Sequence, residues 1–152
     1  TTLFRSKVLL NIRGICMLVP GVPGLSENIK VVSIVDRYLE HSRIFYFQNA
    51  GNPELYCSSA DWMSRNLDRR IELMFPILEK AAFDDVKSIL DSYFADNTNA
   101  MELKQNGSWE PVSQESDSSE KYQAQAELYK KYKKLNESKP KNLDNQFEVR
   151  RK

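Results

Sequence analysis

The sequence predicts a mixed α/β fold, with a central mixed sheet and flanking helices. Three observations predict it: short branched apolar runs at 8–12 and 29–35, a glycine- and proline-rich stretch between them, and helical apolar spacing within 84–94. In Val8-Leu9-Leu10-Asn11-Ile12 only Asn11 interrupts the apolar residues, the pattern of a largely buried strand. Residues 13–26 hold Gly14, Gly21 and Gly24 with Pro20 and Pro23, which marks an ordered loop. Residues 29–35 read as a second strand and 36–40 as a turn or short helix.

Residues 41–47 and 54–58 read as a hairpin across the polar loop Gln48-Asn49-Ala50-Gly51-Asn52-Pro53. Residues 66–76 carry Asp68, Arg69, Arg70 and Glu72 before Leu73-Met74-Phe75, the profile of a strand entering a core from a polar rim. Val86, Ile89, Leu90 and Tyr93 fall three and four apart, on one face of a helix. Residues 100–103 are expected to form a last edge strand, closing on a turn at Gln105-Asn106-Gly107. Few helices for this many strands points to missing sequence. The N-terminal Thr1-Thr2-Leu3-Phe4-Arg5-Ser6-Lys7 has no signal-peptide core and leads almost directly into a strand, so the chain is read as N-terminally incomplete.

Beyond Trp109 the character changes. Residues 113–119 have a linker's polar, acidic composition, and 123–135 read as a lysine-rich helix with a thin apolar stripe of Ala126, Tyr129 and Tyr132. Nothing in 136–152 resembles a core. The reading therefore divides the chain into a domain at 1–112 and, at 113–152, a polar linker, a helix and a flexible tail.

Charge excludes some classes of partner. Twenty-two basic and 21 acidic residues leave a net charge of +1, without the basic bulk excess of a general nucleic-acid or membrane binder. Cys16 and Cys57 are too few for a disulfide framework and lack metal-ligand spacing, so they read as buried free thiols in a reducing cytoplasm. No apolar run approaches the ~18 residues of a membrane span.

Four constellations bear chemistry. His41 is the single histidine, two residues before Arg43 at the start of a strand. Alternation places both on one face with Phe45 and Phe47. A guanidinium grips two phosphate oxygens while an imidazole exchanges a proton near neutral pH, although a histidine beside an arginine is also an ordinary structural feature. Ser58-Ser59-Ala60-Asp61-Trp62-Met63 offers hydroxyls and amides to an anion, or simply a turn at a strand end. Arg65, Arg69 and Arg70 form a dense cluster, which Asp68 and Glu72 equally neutralise as a surface network. Arg13-Gly14 follows the first strand, where α/β sheets commonly bind ligands, but neither a Walker lysine nor a dinucleotide glycine pattern accompanies it.

These residues carry a family resemblance. Ile12-Arg13-Gly14-Ile15-Cys16, Pro20-Gly21-Val22-Pro23-Gly24-Leu25-Ser26-Glu27-Asn28-Ile29, Leu39-Glu40-His41-Ser42-Arg43-Ile44 and Ser58-Ser59-Ala60-Asp61-Trp62-Met63 followed by Arg65-Asn66-Leu67-Asp68-Arg69-Arg70 resemble polyphosphate kinases of the first type. The resembling stretch covers about residues 7–112. It implies part of a C-terminal phospholipase-D-like domain, in an enzyme that reversibly moves the terminal phosphate of ATP onto polyphosphate through a phosphohistidine. The resemblance places that phosphohistidine and the Mg2+ ligands upstream, so no metal ligand is assigned here. It makes His41 the second active-site histidine, contacting nucleotide or phosphate and assisting proton transfer, and Arg13 a nucleotide-phosphate ligand. Arg43 joins them as a phosphate ligand, with Ser59, Asp61, Arg65, Arg69 and Arg70 as secondary candidates.

The implied partners are ATP or ADP, inorganic polyphosphate, the upstream domains and further copies of the full enzyme, with no nucleic acid. The implied location is the cytoplasm, with peripheral membrane association of the full enzyme. Arg43 stands in place of the superfamily's lysine and Gln48 in place of its aspartate, so phosphodiester hydrolysis is not implied. A non-catalytic module that grips nucleotide or polyphosphate is the alternative reading.

Overall fold

Branched apolar runs extend where both faces can be covered, and the computed structural model, which describes residues 6–112 and 120–138, shows what covers them. β1 (Val8–Asn11) pairs in parallel with β2 (Ile29–Ile34), Val8 opposite Ile29. A parallel pair needs a long crossover. Here it is the glycine–proline loop, held by its own hydrogen bonds: Ser26 donates its hydroxyl to the Val19 carbonyl at 2.6 Å and accepts from the Val22 amide at 3.0 Å. Gly21 and Gly24 take φ of 74° and 75°, values that disfavour a side chain. The ordered loop expected at 13–26 is thus present.

β6 (Ala100–Leu103) runs antiparallel to β2, and β7 (Trp109–Pro111) pairs outside β6, giving a mixed sheet in the order β1-β2-β6-β7. The expected edge strand at 100–103 is therefore interior. Trp109-Glu110-Pro111 is too short to announce itself by alternation, and it takes the edge instead.

The expected hairpin forms a second sheet. β3 (Ile44–Phe47) pairs with β4 (Glu54–Ser58) around a 3-10 turn at Asn49–Gly51, and β5 (Met74–Pro76) adds to the far side of β4. The strand expected across 66–76 is corrected here. α1 (Ser64–Arg69) takes its first half and only the apolar end is extended. The Met63 carbonyl accepts from Asn66 and Leu67 at 2.8 and 3.1 Å, and this turn closes the helix locally. Of residues 36–40, read as a turn or short helix, 36–38 form bends and 39–40 run on without regular structure.

α2 (Lys80–Ala95) is capped by Glu79, whose carboxylate accepts from the Ala81 and Ala82 amides at 2.9 and 2.6 Å. α3 (Ala124–Ser138) packs against α2. Ile34, Tyr93, Ala100 and Ala124 make one buried cluster, joined by Ile89, Leu90, Val112, Tyr122 and Leu128. Core side chains thus continue past residue 112. Residues 1–5, the stretch at 113–119 read as a linker, and the tail at 139–152 lie outside the described residues.

Candidate functional site

Three separate segments converge on one rim. Ile12 continues the pairing of β1 by donating its amide to the Val32 carbonyl at 2.8 Å, which leaves Arg13 at the strand's C-terminal end. Arg13 Nη1 donates to the Glu40 carbonyl at 2.7 Å, and Nη2 lies 3.3 and 3.4 Å from the two carboxylate oxygens of Asp61. Arg43 reaches the same carboxylate from the start of the hairpin. Its Nε and Nη2 each lie 2.9 Å from Asp61 Oδ1. Arg43 Nη1 then meets His41 Nδ1 at 3.1 Å and the His41 carbonyl at 3.3 Å.

Two guanidiniums share one carboxylate, so the rim keeps an excess positive charge. The Arg13, Arg43 and Asp61 side chains are 29%, 18% and 24% exposed, so solvent screens this charge only in part while a ligand can still reach it. Burial pushes the Asp61 carboxyl up. The Arg43 hydrogen bond and the charges of Arg43 and Arg13 outweigh that and hold it below the usual range. Asp61 is anchored by its own backbone as well: its carbonyl accepts from the Met63 amide at 2.8 Å and from Asn66 Nδ2 at 3.3 Å.

The strand read from His41 begins only at Ile44, but His41 and Arg43 still lie side by side. Arg13, His41, Arg43 and Asp61 are brought together. Ser59 is not part of this group, because its hydroxyl donates to the Glu72 carboxylate and accepts from the Leu73 amide at 3.0 Å, tying β4 to the approach of β5. Arg65, Arg69 and Arg70 are exposed on and after α1, and among the described residues no hydrogen bond or ion pair joins them to Asp68 or Glu72. Glu72 is engaged with Ser59 instead.

Sequence reasoning missed the support for this rim. Gln125 accepts from the Tyr38 amide at 2.9 Å and donates to the Tyr38 carbonyl and the Glu40 carboxylate, both at 2.7 Å. Gln123 donates to Asp36 at 2.9 Å. These amides hold the 36–40 segment that leads into His41. Their only signal in sequence is two glutamines, two apart, at the start of a predicted helix. An open cleft of about 550 Å³ lies beside the rim, lined by Tyr38, Glu40, Tyr93, Gln125, Tyr129 and Tyr132. It shares Glu40 with the rim but none of the three basic residues.

Fold and rim together define a mixed α/β domain with an edge built from two arginines that share one carboxylate and a histidine beside them. The model of the polyphosphate kinase C-terminal domain 2 family matches residues 6–125. Over 104 residues the chain is 55% identical to a polyphosphate kinase of Rhodopirellula baltica, covering 68% of this chain and 12% of that protein. A polyphosphate kinase of Pseudomonas aeruginosa is 51% identical over 107 residues, covering 70% of this chain and 16% of the relative. The crystal structure of polyphosphate kinase from Porphyromonas gingivalis matches with a TM-score of 0.79 at 38% identity, over 88% of this chain and 20% of that one. This chain belongs to the polyphosphate kinase C-terminal domain 2 family, and the mixed α/β expectation is borne out. It spans less than a fifth of the length of the curated relatives it matches.

Proposed function

We propose that this chain is the C-terminal portion of a polyphosphate kinase, an ATP:polyphosphate phosphotransferase, in which the Arg13–Arg43–His41 rim holds phosphate during transfer. The observation that carries the proposal is the convergence of Arg13 and Arg43 on the single carboxylate of Asp61, with His41 held against Arg43. Each guanidinium has five N–H donors. Arg13 commits Nη1 to Glu40 and Nη2 to Asp61, and its Nε has no partner among the described residues, so donors remain for an incoming phosphate oxygen. Phosphoryl transfer needs chiefly positioning and charge stabilisation, which fixed guanidiniums supply. In this reading the phosphate-accepting histidine belongs to the upstream part of the enzyme, and the isolated chain binds without turning over.

The same reading makes ATP and polyphosphate its substrates and the upstream domains its neighbours. Leu73, Met74, Phe75 and Leu78 are each more than half exposed, an apolar strip suited to a covering domain. Magnesium is implied for the full enzyme. Among the described residues no three His, Cys, Asp or Glu side chains gather to hold a cation, so the residues here do not fit one and no step runs through it. The proposed setting is the cytoplasm. No helix of the described residues is long and apolar enough to cross a membrane.

Calorimetry of the chain with ATP and with inorganic polyphosphate tests the proposal. Saturable binding that weakens with added salt, and is lost in Arg13→Ala, supports it. Heats indistinguishable from dilution for both ligands overturn it for the chain as it stands.

A further inference from the structure

We propose that Asp61 and Arg43 act as a positioning pair that holds His41 as its neutral Nε2–H tautomer, so that the ring meets a ligand as a hydrogen-bond donor. The argument starts from the donor inventory. Arg43 Nη1 lies 3.1 Å from His41 Nδ1, and a guanidinium carries N–H donors and no acceptor. A contact of that length therefore requires a lone pair on Nδ1. An imidazolium, or the Nδ1–H tautomer, would set one N–H against another and, in the charged case, one cation against another. With Nδ1 accepting, the ring's only proton sits on Nε2.

Arg43 is not free to turn away from the ring. Nε and Nη2 each lie 2.9 Å from Asp61 Oδ1, and Nη1 also reaches the His41 carbonyl at 3.3 Å. Asp61 is held in turn, by the bonds to its carbonyl from Met63 and Asn66 and by the stacking of the next residue, Trp62, on Phe45 at 5.8 Å. The pairing thus runs from a fixed backbone, through a carboxylate and a guanidinium, to the Nδ1 edge of the imidazole. Asp61 touches no substrate in this scheme and acts through Arg43.

This deepens the phosphate-binding reading and rests on it for the identity of the ligand. It narrows the role of His41. While Arg43 occupies Nδ1, the ring has no free nitrogen lone pair with which to take up a proton or a phosphoryl group. It offers an Nε2–H to a phosphate oxygen, as a neutral electrophilic imidazole does elsewhere in enzymes.

The chain has one histidine, so its imidazole is read without overlap. The untagged chain, 15N-labelled at histidine, is examined by proton–nitrogen spectroscopy through the ring Cδ2 and Cε1 protons at a pH where the ring is neutral. The expected wild-type pattern is one protonated nitrogen, Nε2, and one unprotonated nitrogen, Nδ1. Asp61→Asn and Arg43→Met are expected to lose that single-tautomer pattern and average the two nitrogens, while circular dichroism shows an unchanged fold. A wild-type ring protonated at Nδ1 overturns the proposal, whatever becomes of the variants. So does an unchanged single-tautomer spectrum in either folded variant. Because no ligand is present, this result is independent of whether ATP or polyphosphate binds.

Discussion

The carboxylate of Asp96 and the backbone amide of Ala124 meet at 2.8 Å inside the core, where Asp96 is 2% exposed. The other carboxylate oxygen accepts from the amides of Thr98, Asn99 and Ala100 at 2.9, 2.7 and 3.2 Å. One buried side chain therefore turns the chain out of α2 into β6 and caps the start of α3. It joins the helix that supports the rim to the sheet that carries Arg13.

Asp96→Ala strands several buried N–H groups and is expected to destabilise the chain by roughly 3 kcal/mol or more. Asp96→Asn retains an oxygen for the three amides of the turn but sets an NH2 against the Ala124 amide, so a smaller loss is expected. Urea unfolding of the three proteins checks the order. Equal midpoints would mean that α3 is not held by this bond.

Tyr93 lies in the core with its hydroxyl 3.3 Å from Ser42 Oγ, and burial is the largest of the causes that push its pKa up to about 12. The raised folded value means that the contribution to stability is whole below the ordinary value of 10.0 and is lost as pH rises towards about 12. Alkaline unfolding, followed by tyrosinate absorbance, should be steeper in the wild type than in Tyr93→Phe over that interval.

Lys131 of α3 donates to Asp85 of α2 at 2.6 Å, and Tyr132 adds a hydrogen bond to the same carboxylate at 2.9 Å. The hydrogen bond from Lys131 is the largest of the influences that lower the Asp85 pKa, and the same bond raises that of Lys131. The clasp is therefore present above the ordinary carboxyl value of 3.8 and fades as pH falls through the lowered one. At the other end it is whole below 10.5 and fades as pH rises through the raised amine value. Both side chains are more than a third exposed, so its worth stays below about 1 kcal/mol. The urea midpoints of wild type and Lys131→Met should differ near neutrality and converge in acid.

The proposed phosphate role predicts that, in a full-length enzyme carrying this portion, Arg13→Ala and His41→Ala each lower turnover by about 100-fold or more, the usual effect of removing one fixed donor from developing phosphate charge. Steady-state ATP consumption with polyphosphate as acceptor measures it. A folded variant with near-wild-type turnover refutes the role of that residue.

Gln125→Ala removes three hydrogen bonds from the segment carrying Glu40 without touching either arginine. The proposed function predicts weaker ATP binding by the chain, with the melting temperature lowered by only a few degrees, read by calorimetry and thermal denaturation. Unchanged affinity would show that the rim stands without α3.

The sequence by itself determined the local elements whose cause is local. Branched runs became β1 and β2, apolar spacing became α2, and the polar loop between two aromatic runs became the β3–β4 hairpin. It also offered Arg13, His41 and Arg43 as candidates, through residue types suited to a phosphate and, for their roles, through the family resemblance. It misjudged 66–76, where Met63 closes a helical turn that charge patterning did not show. Tertiary structure alone decided that Arg13 meets Asp61 across 48 positions, that β6 is interior, and that Ala124, Gln123 and Gln125 belong to the packed unit. The physical reason is common to all three. A guanidinium, a strand edge or an amide becomes committed only when a distant segment brings its complement within hydrogen-bonding range, and no periodicity along the chain records that distance.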